Sequence, residues 1–169
     1  MKHQATAYLH DNNLHLEGTN VKEPFDLISD FLLLVPYLYK GMFISLGVYL
    51  QAKVIFDRYE KDLMSKKKVN IYGHSLGAGI GCVIAIMMLK NGYEGNFFIE
   101  GKGGVKCLGT KARDYLYRIT VSILWQIRHR DPVPHFGWWY APFHYTPMTG
   151  NIKAHPLDYD IAEHTKYSV

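Results

Sequence analysis

The stretch from Val69 to Ala78 constrains the fold more than any other part of the 169-residue chain. A short β-prone run, Val69-Asn70-Ile71-Tyr72, meets a sharp turn at Gly73-His74-Ser75-Leu76-Gly77. From Ala78 to Lys90 the sequence is then apolar nearly all round, and it stops at Asn91-Gly92. A helix apolar on every side must be buried. The small residues Gly77, Ala78, Gly79 and Gly81 let it press closely against a sheet. The unit is strand, tight turn, buried helix.

The rest of the chain extends that unit. Tyr8-Leu9-His10 and Leu14-His15-Leu16 alternate around Asp11-Asn12-Asn13, which predicts a β-hairpin. Phe43, Leu46, Leu50, Val54 and Ile55 recur near a helical period, with Lys53, Asp57, Arg58 and Glu60 toward the end. That pattern predicts an amphipathic helix from about Tyr39 to Glu60. Asn96–Glu100 is expected to be a strand, 111–118 a short helix and Ile119–Ile127 another strand. Pro132–Pro147, rich in aromatics, is expected to be a long ordered loop, and Asp160–Lys166 a short helix. Strands alternating with helices define an α/β protein with a mostly parallel central sheet and helices on both faces. Length allows one domain over residues 1–169.

Apolar residues are 48% of the chain and charged ones 20%, a balance that sets it apart from disordered chains. Net charge is +4, and the basic run Lys66-Lys67-Lys68 comes without a nucleic-acid module, so no nucleic-acid partner is expected. The two cysteines, Cys82 and Cys107, have no zinc spacing and read as buried free thiols. Residues 31–50 are long and apolar enough to raise the question of a bilayer span. Pro36, Lys40, Gly41, Ser45 and Gly47 interrupt them, which argues for an apolar surface segment leading into a helix. Without an apolar signal core after Met1, a cytoplasmic location is expected, with peripheral contact at a lipid surface allowed by the charge.

Gly73-x-Ser75-x-Gly77 between strand and helix is the pattern of a nucleophile elbow, in which a strained turn projects the serine hydroxyl from the sheet edge. The N–H of Leu76, at the start of the helix, points where an oxyanion would form. A serine needs a base, and in α/β-hydrolases the acid and the histidine follow it in sequence. Asp131, after a strand, is the candidate acid, and an aspartate before proline is also an ordinary turn starter. His144 and His164 compete as base, with His164 preferred. None of the histidines makes a metal motif, and neither a metal nor another cofactor is called for.

These residues resemble the class 3, or fungal-type triacylglycerol, lipase family. Gly73-His74-Ser75-Leu76-Gly77-Ala78 is similar to its elbow, Asp131-Pro132-Val133-Pro134 to its acid segment and His164-Thr165-Lys166-Tyr167 to its His-x-x-Tyr ending. Glu17-Gly18-Thr19-Asn20 resembles the Arg-Gly-Thr segment of its oxyanion loop, with Glu17 in place of arginine, and Tyr39-Lys40-Gly41-Met42 falls at its His-x-Gly-Phe element. The resemblance implies a serine esterase with triad Ser75, Asp131 and His164, and an oxyanion hole from Leu76 and Thr19. A loop hydroxyl that caps a helix competes as the role of Thr19. It also implies an apolar cover around Phe31, Leu33 and Leu34. Trp138 and Trp139 are candidates for a substrate wall, with loop packing as the competing role. The expected partner is an acyl ester or lipid. A lipase-like binding protein with weak or lost chemistry is the alternative, on the strength of Glu17 and the short chain.

Overall fold

The structure is a computed structural model that describes residues 6–18, 32–119, 122–128, 130–135, 140–142, 146–149, 163 and 166–167. Six strands form one sheet in the order β1-β2-β5-β6-β7-β8. β1 (Ala7–His10) and β2 (Asn13–Leu16) are antiparallel about Asp11, whose φ of 51° suits the tight turn. From β2 onward every pairing is parallel, through β5 (Lys68–His74), β6 (Asn96–Lys102), β7 (Ser122–Arg128) and β8 (Thr146–Thr149).

The predicted helix from Tyr39 is corrected. Pro36–Tyr39 (β3) and Met42–Ser45 (β4) form a separate antiparallel ribbon, and α1 runs Leu46–Met64. Lys40 and Gly41 between the strands have φ of 44° and 80°, the two positive values that a two-residue hairpin turn of type I′ requires. Ser45 then caps α1, accepting from the Val48 N–H at 3.4 Å. The apolar stripe is corrected with it. α1 buries Val48, Ala52, Ile55, Phe56 and Leu63, whereas Leu50 and Val54 face outward. No described helix is long and apolar enough to cross a membrane.

α2 (Leu76–Lys90) lies directly on the sheet, over the buried faces of β2 (Leu14, Leu16), β5 (Val69, Ile71) and β6 (Phe97, Ile99). α1 and α3 (Thr110–Ile119) pack against α2. Strand order advances in a single direction from β2 to β8, and right-handed crossovers then carry the connections over the same side of the sheet. The three long helices of the described residues accordingly share one face, where the sequence predicted helices on both. On the other face Tyr8, His15, Tyr72 and Phe98 stand in a row across four strands, Tyr8 and His15 stacking at 4.6 Å and His15 and Tyr72 at 5.0 Å.

The expected loop 132–147 ends in β8, because Pro147 sits on an edge strand where a missing N–H is tolerated. Ile119 belongs to α3, so β7 begins three residues later than expected.

Candidate active site

Ser75 sits between the last residue of β5 and the first of α2, with φ 54° and ψ −125°. Non-glycine residues avoid that region, and tight neighbours hold it there. The Ser75 N–H donates to the Lys102 carbonyl at the end of β6, at 2.9 Å, and the Ala78 N–H donates to the Ser75 carbonyl. A Cβ at position 73 would lie 2.5 Å from the Ala78 Cα, and one at 77 would run into the Leu16 carbonyl oxygen. Strand, turn and helix close on one another only with glycine on both sides of the serine. Its hydroxyl makes no cap bond to α2, which leaves Oγ for chemistry.

The chain leaving β2 also passes over the serine. A Cβ at position 18 would stand 2.8 Å from the Ser75 Cβ and 3.3 Å from its Oγ. Gly18, in the segment expected to form the oxyanion loop, therefore lies against Ser75. Leu76, 8% exposed, begins α2, where the first N–H groups have no partner within the helix.

β7 leads to Asp131, the residue expected to be the acid. A register irregularity at Ile127–Arg128 and a φ of 67° at Arg130 turn the chain over the sheet edge, and Asp131 is buried at 1% exposure. One carboxylate oxygen, Oδ1, accepts from the Val133 N–H at 2.9 Å; the other, Oδ2, accepts from the Tyr167 hydroxyl at 2.7 Å. The turn-starting role expected of Asp131 thus occupies Oδ1 alone, while Oδ2 faces the C-terminal segment. The end of β6 ties the two sites together. Lys102 holds the Ser75 N–H, and a Cβ on the adjacent Gly103 would fall 2.9 Å from Asp131 Oδ2. Ser75 and Asp131 share the edge of the sheet at which the parallel strands end, where open α/β sheets bind their ligands.

Sequence reasoning gave Tyr167 no separate role, although the His-x-x-Tyr spacing carried the signal. Its hydroxyl donates to Asp131 and accepts from the Arg128 N–H, also at 2.7 Å, and its ring lies 5.4 Å from that of His74. Burial pushes the phenol well above its ordinary pKa, and the Asp131 charge adds to this against the opposing Arg128 N–H bond. Glu163 pairs with Arg128 at 3.4 Å and with Lys166. Its carboxyl is held below the usual range, chiefly by the hydrogen bond from Lys166. The pKa of His135, in the turn after Asp131, is pushed down by burial and by Lys106, with Asp131 opposing.

Thr19, Phe31, Trp138, Trp139, His144 and His164 lie outside the described residues. Leu33 and Leu34 are described, in a helical turn just before the β3–β4 ribbon, with Leu34 exposed. Both thiols are buried, and burial pushes that of Cys107 up to about 12, so neither is a competing nucleophile. No group of three metal-ligating side chains occurs among the described residues.

A strained serine at a strand-to-helix turn, followed by a buried aspartate two strands along the same edge, defines an α/β-hydrolase architecture. The lipase (class 3) family model matches residues 16–140, and the chain belongs to that family. Solved structures agree on the fold. The lipase of Rhizopus microsporus var. chinensis superposes with a TM-score of 0.73 at 17% identity, over 93% of this chain and 66% of that one. Lipase II of Rhizopus niveus gives 0.73 at 15% identity, over 92% and 71%. A triacylglycerol lipase whose catalytic centre is a serine protease triad gives 0.61 at 17% identity, over 83% and 59%. The chain thus spans less than two thirds of the length of the first and third of these lipases. No curated protein sequence matches it.

Proposed function

We propose that this chain hydrolyses carboxylic esters of lipids or other acyl chains through an acyl-enzyme, with Ser75 as nucleophile, His164 as base and Asp131 as acid. The observation that carries the reading is the Ser75 backbone, held at φ 54° and ψ −125° with its hydroxyl uncommitted to the helix it precedes. The triad of the triacylglycerol lipase of similar fold supports the same assignment.

Flanking residues support His164 over His144. Glu163 pairs with Arg128 and Tyr167 bonds Asp131, so residues before and after His164 in sequence are held close to Asp131, whereas no described residue beside His144 bonds Asp131. In the reaction Ser75 Oγ attacks the carbonyl carbon as His164 takes its proton, while Asp131 orients the imidazole and stabilises its charge. The Leu76 N–H, with Thr19 from the adjoining loop, donates to the oxyanion. Collapse breaks the ester C–O bond, and His164 returns the proton to the departing alcohol. Water repeats the sequence on the acyl-enzyme and releases the fatty acid.

Turnover of a soluble nitrophenyl butyrate by the wild type and by Ser75→Ala tests this. The proposal predicts turnover that falls to background in the variant with its circular dichroism unchanged. A wild type without turnover, or a variant that keeps the wild-type rate, would contradict it.

A further inference from the structure

The chain leaving β2 brings a carboxylate to the nucleophile. Leu16 is buried in the core, and the Glu17 N–H donates to the Thr6 carbonyl at 2.9 Å, so the strand pattern continues for one more residue and turns the Glu17 side chain toward solvent. Its main chain is held close to the elbow. The Glu17 carbonyl carbon lies 3.1 Å from where a Gly77 Cβ would be, and the next residue is Gly18, whose own Cβ would fall 2.8 Å from that of Ser75.

The other acidic groups of this edge are committed. Glu100 pairs with Lys102 at 3.5 Å and Glu163 with Arg128 and Lys166, while Asp131 is buried and accepts from the Val133 N–H and the Tyr167 hydroxyl. Glu17 is exposed, and its carboxylate has neither an ion pair nor a hydrogen bond among the described residues. β2 lies beside β5 on one side and β7 two strands away on the other, so the uncommitted charge and Asp131 flank Ser75 from opposite directions. This is also the position at which the chain has glutamate where the similar lipase segment has arginine. A negative charge here distinguishes what enters the site from what leaves it. An ester is neutral at its carbonyl. In the proposed reaction water adds to the acyl carbon, the bond from that carbon to Ser75 Oγ breaks, and Oγ takes back a proton from His164. The carboxylic acid released has an ordinary pKa of about 4.3 and gives its own proton to solvent at neutral pH. The product's negative charge therefore arises on the carboxyl group that had been bonded to Oγ, beside Gly18 and Glu17. Two like charges about 8 Å apart in partly solvated surroundings weaken binding by about threefold or more. The neutral ester escapes that repulsion.

We propose that Glu17 is a specificity-determining residue that admits neutral esters and repels the carboxylate product, so that the enzyme is not held by the acid it releases. The inference rests on the reading of the chain as an ester hydrolase with Ser75 as nucleophile.

Inhibition of nitrophenyl butyrate turnover by octanoate and by octanamide, which match in length and differ in charge, tests this in the full chain at neutral pH. Relative to octanamide, octanoate is expected to inhibit Glu17→Gln about threefold or more better than it inhibits the wild type, and Glu17→Arg better still, with the differences shrinking as salt is raised. Octanamide is expected to inhibit all three chains alike. The same carboxylate opposes the oxyanion, so kcat on the neutral ester is expected to rise in Glu17→Gln, where loss of a merely structural residue would lower it. A ratio of octanoate to octanamide inhibition that is the same in the wild type and both variants would overturn the role of Glu17 and leave the hydrolase reading standing. A wild type that turns over no ester would overturn the hydrolase reading, and the inference with it.

Discussion

Tyr167 shows how much of the site depends on one hydroxyl near the end of the chain. It fills one oxygen of the buried Asp131 and caps the Arg128 N–H, both at 2.7 Å. Tyr167→Phe keeps the ring on His74 and removes both bonds, at a cost of about 1.5–3 kcal/mol for the bond to a charged group. A carboxylate with one donor fewer is a stronger base and raises the pKa of the imidazolium it orients. The expected result is kcat lowered about tenfold with KM held, and the acid limb of the kcat/KM profile moved to higher pH. A variant that only lowers the melting temperature would make Tyr167 a packing residue. The placement of Ser75 in a strand-to-helix turn and of Asp131 just beyond a strand was legible because each stands in a short pattern with a physical reason behind it. Tyr167 was hidden because its partner is 36 residues away in sequence.

The elements divide along the same line. β1, β2, β5, α2, β6 and α3 could be read from the chain, since each carries its own period and its own turn residues. The β3–β4 ribbon could not. Its apolar residues lie on both faces, so Phe43 and Leu46 fell into a helical period that the positive φ values at Lys40 and Gly41 interrupt. β8 was hidden because an edge strand containing proline lacks the usual strand signal. The turn gives a test at this scale. Gly41 has φ 80°, which a β-branched side chain resists, so Gly41→Val is expected to cost more than about 1 kcal/mol and to lower the thermal midpoint, read by circular dichroism. An unchanged midpoint would mean that the turn does not depend on this conformation.

At the scale of the whole molecule Ser75 and Asp131 come from distant segments that share one sheet edge, and Tyr167 ties the C-terminal segment to Asp131, so the proposed site is as stable as the docking of that segment. That docking depends on pH. Glu163 has its pKa lowered in the folded chain, by the Lys166 hydrogen bond first and then by Arg128. Its contribution is therefore complete above the unfolded value of 4.5 and is lost as pH falls through the lowered one. Limited proteolysis is expected to cut the C-terminal segment sooner as pH falls below that value, and Glu163→Gln to remove this dependence. The central claim, that a strained elbow at Ser75 makes an activated nucleophile, has a more direct test. The full chain is treated with a fluorophosphonate probe at neutral pH and the modified peptide identified by mass spectrometry. One adduct on Ser75 is expected, abolished by Ser75→Ala and strongly slowed by His164→Ala. An unlabelled wild type, or an adduct on any other residue, would contradict it.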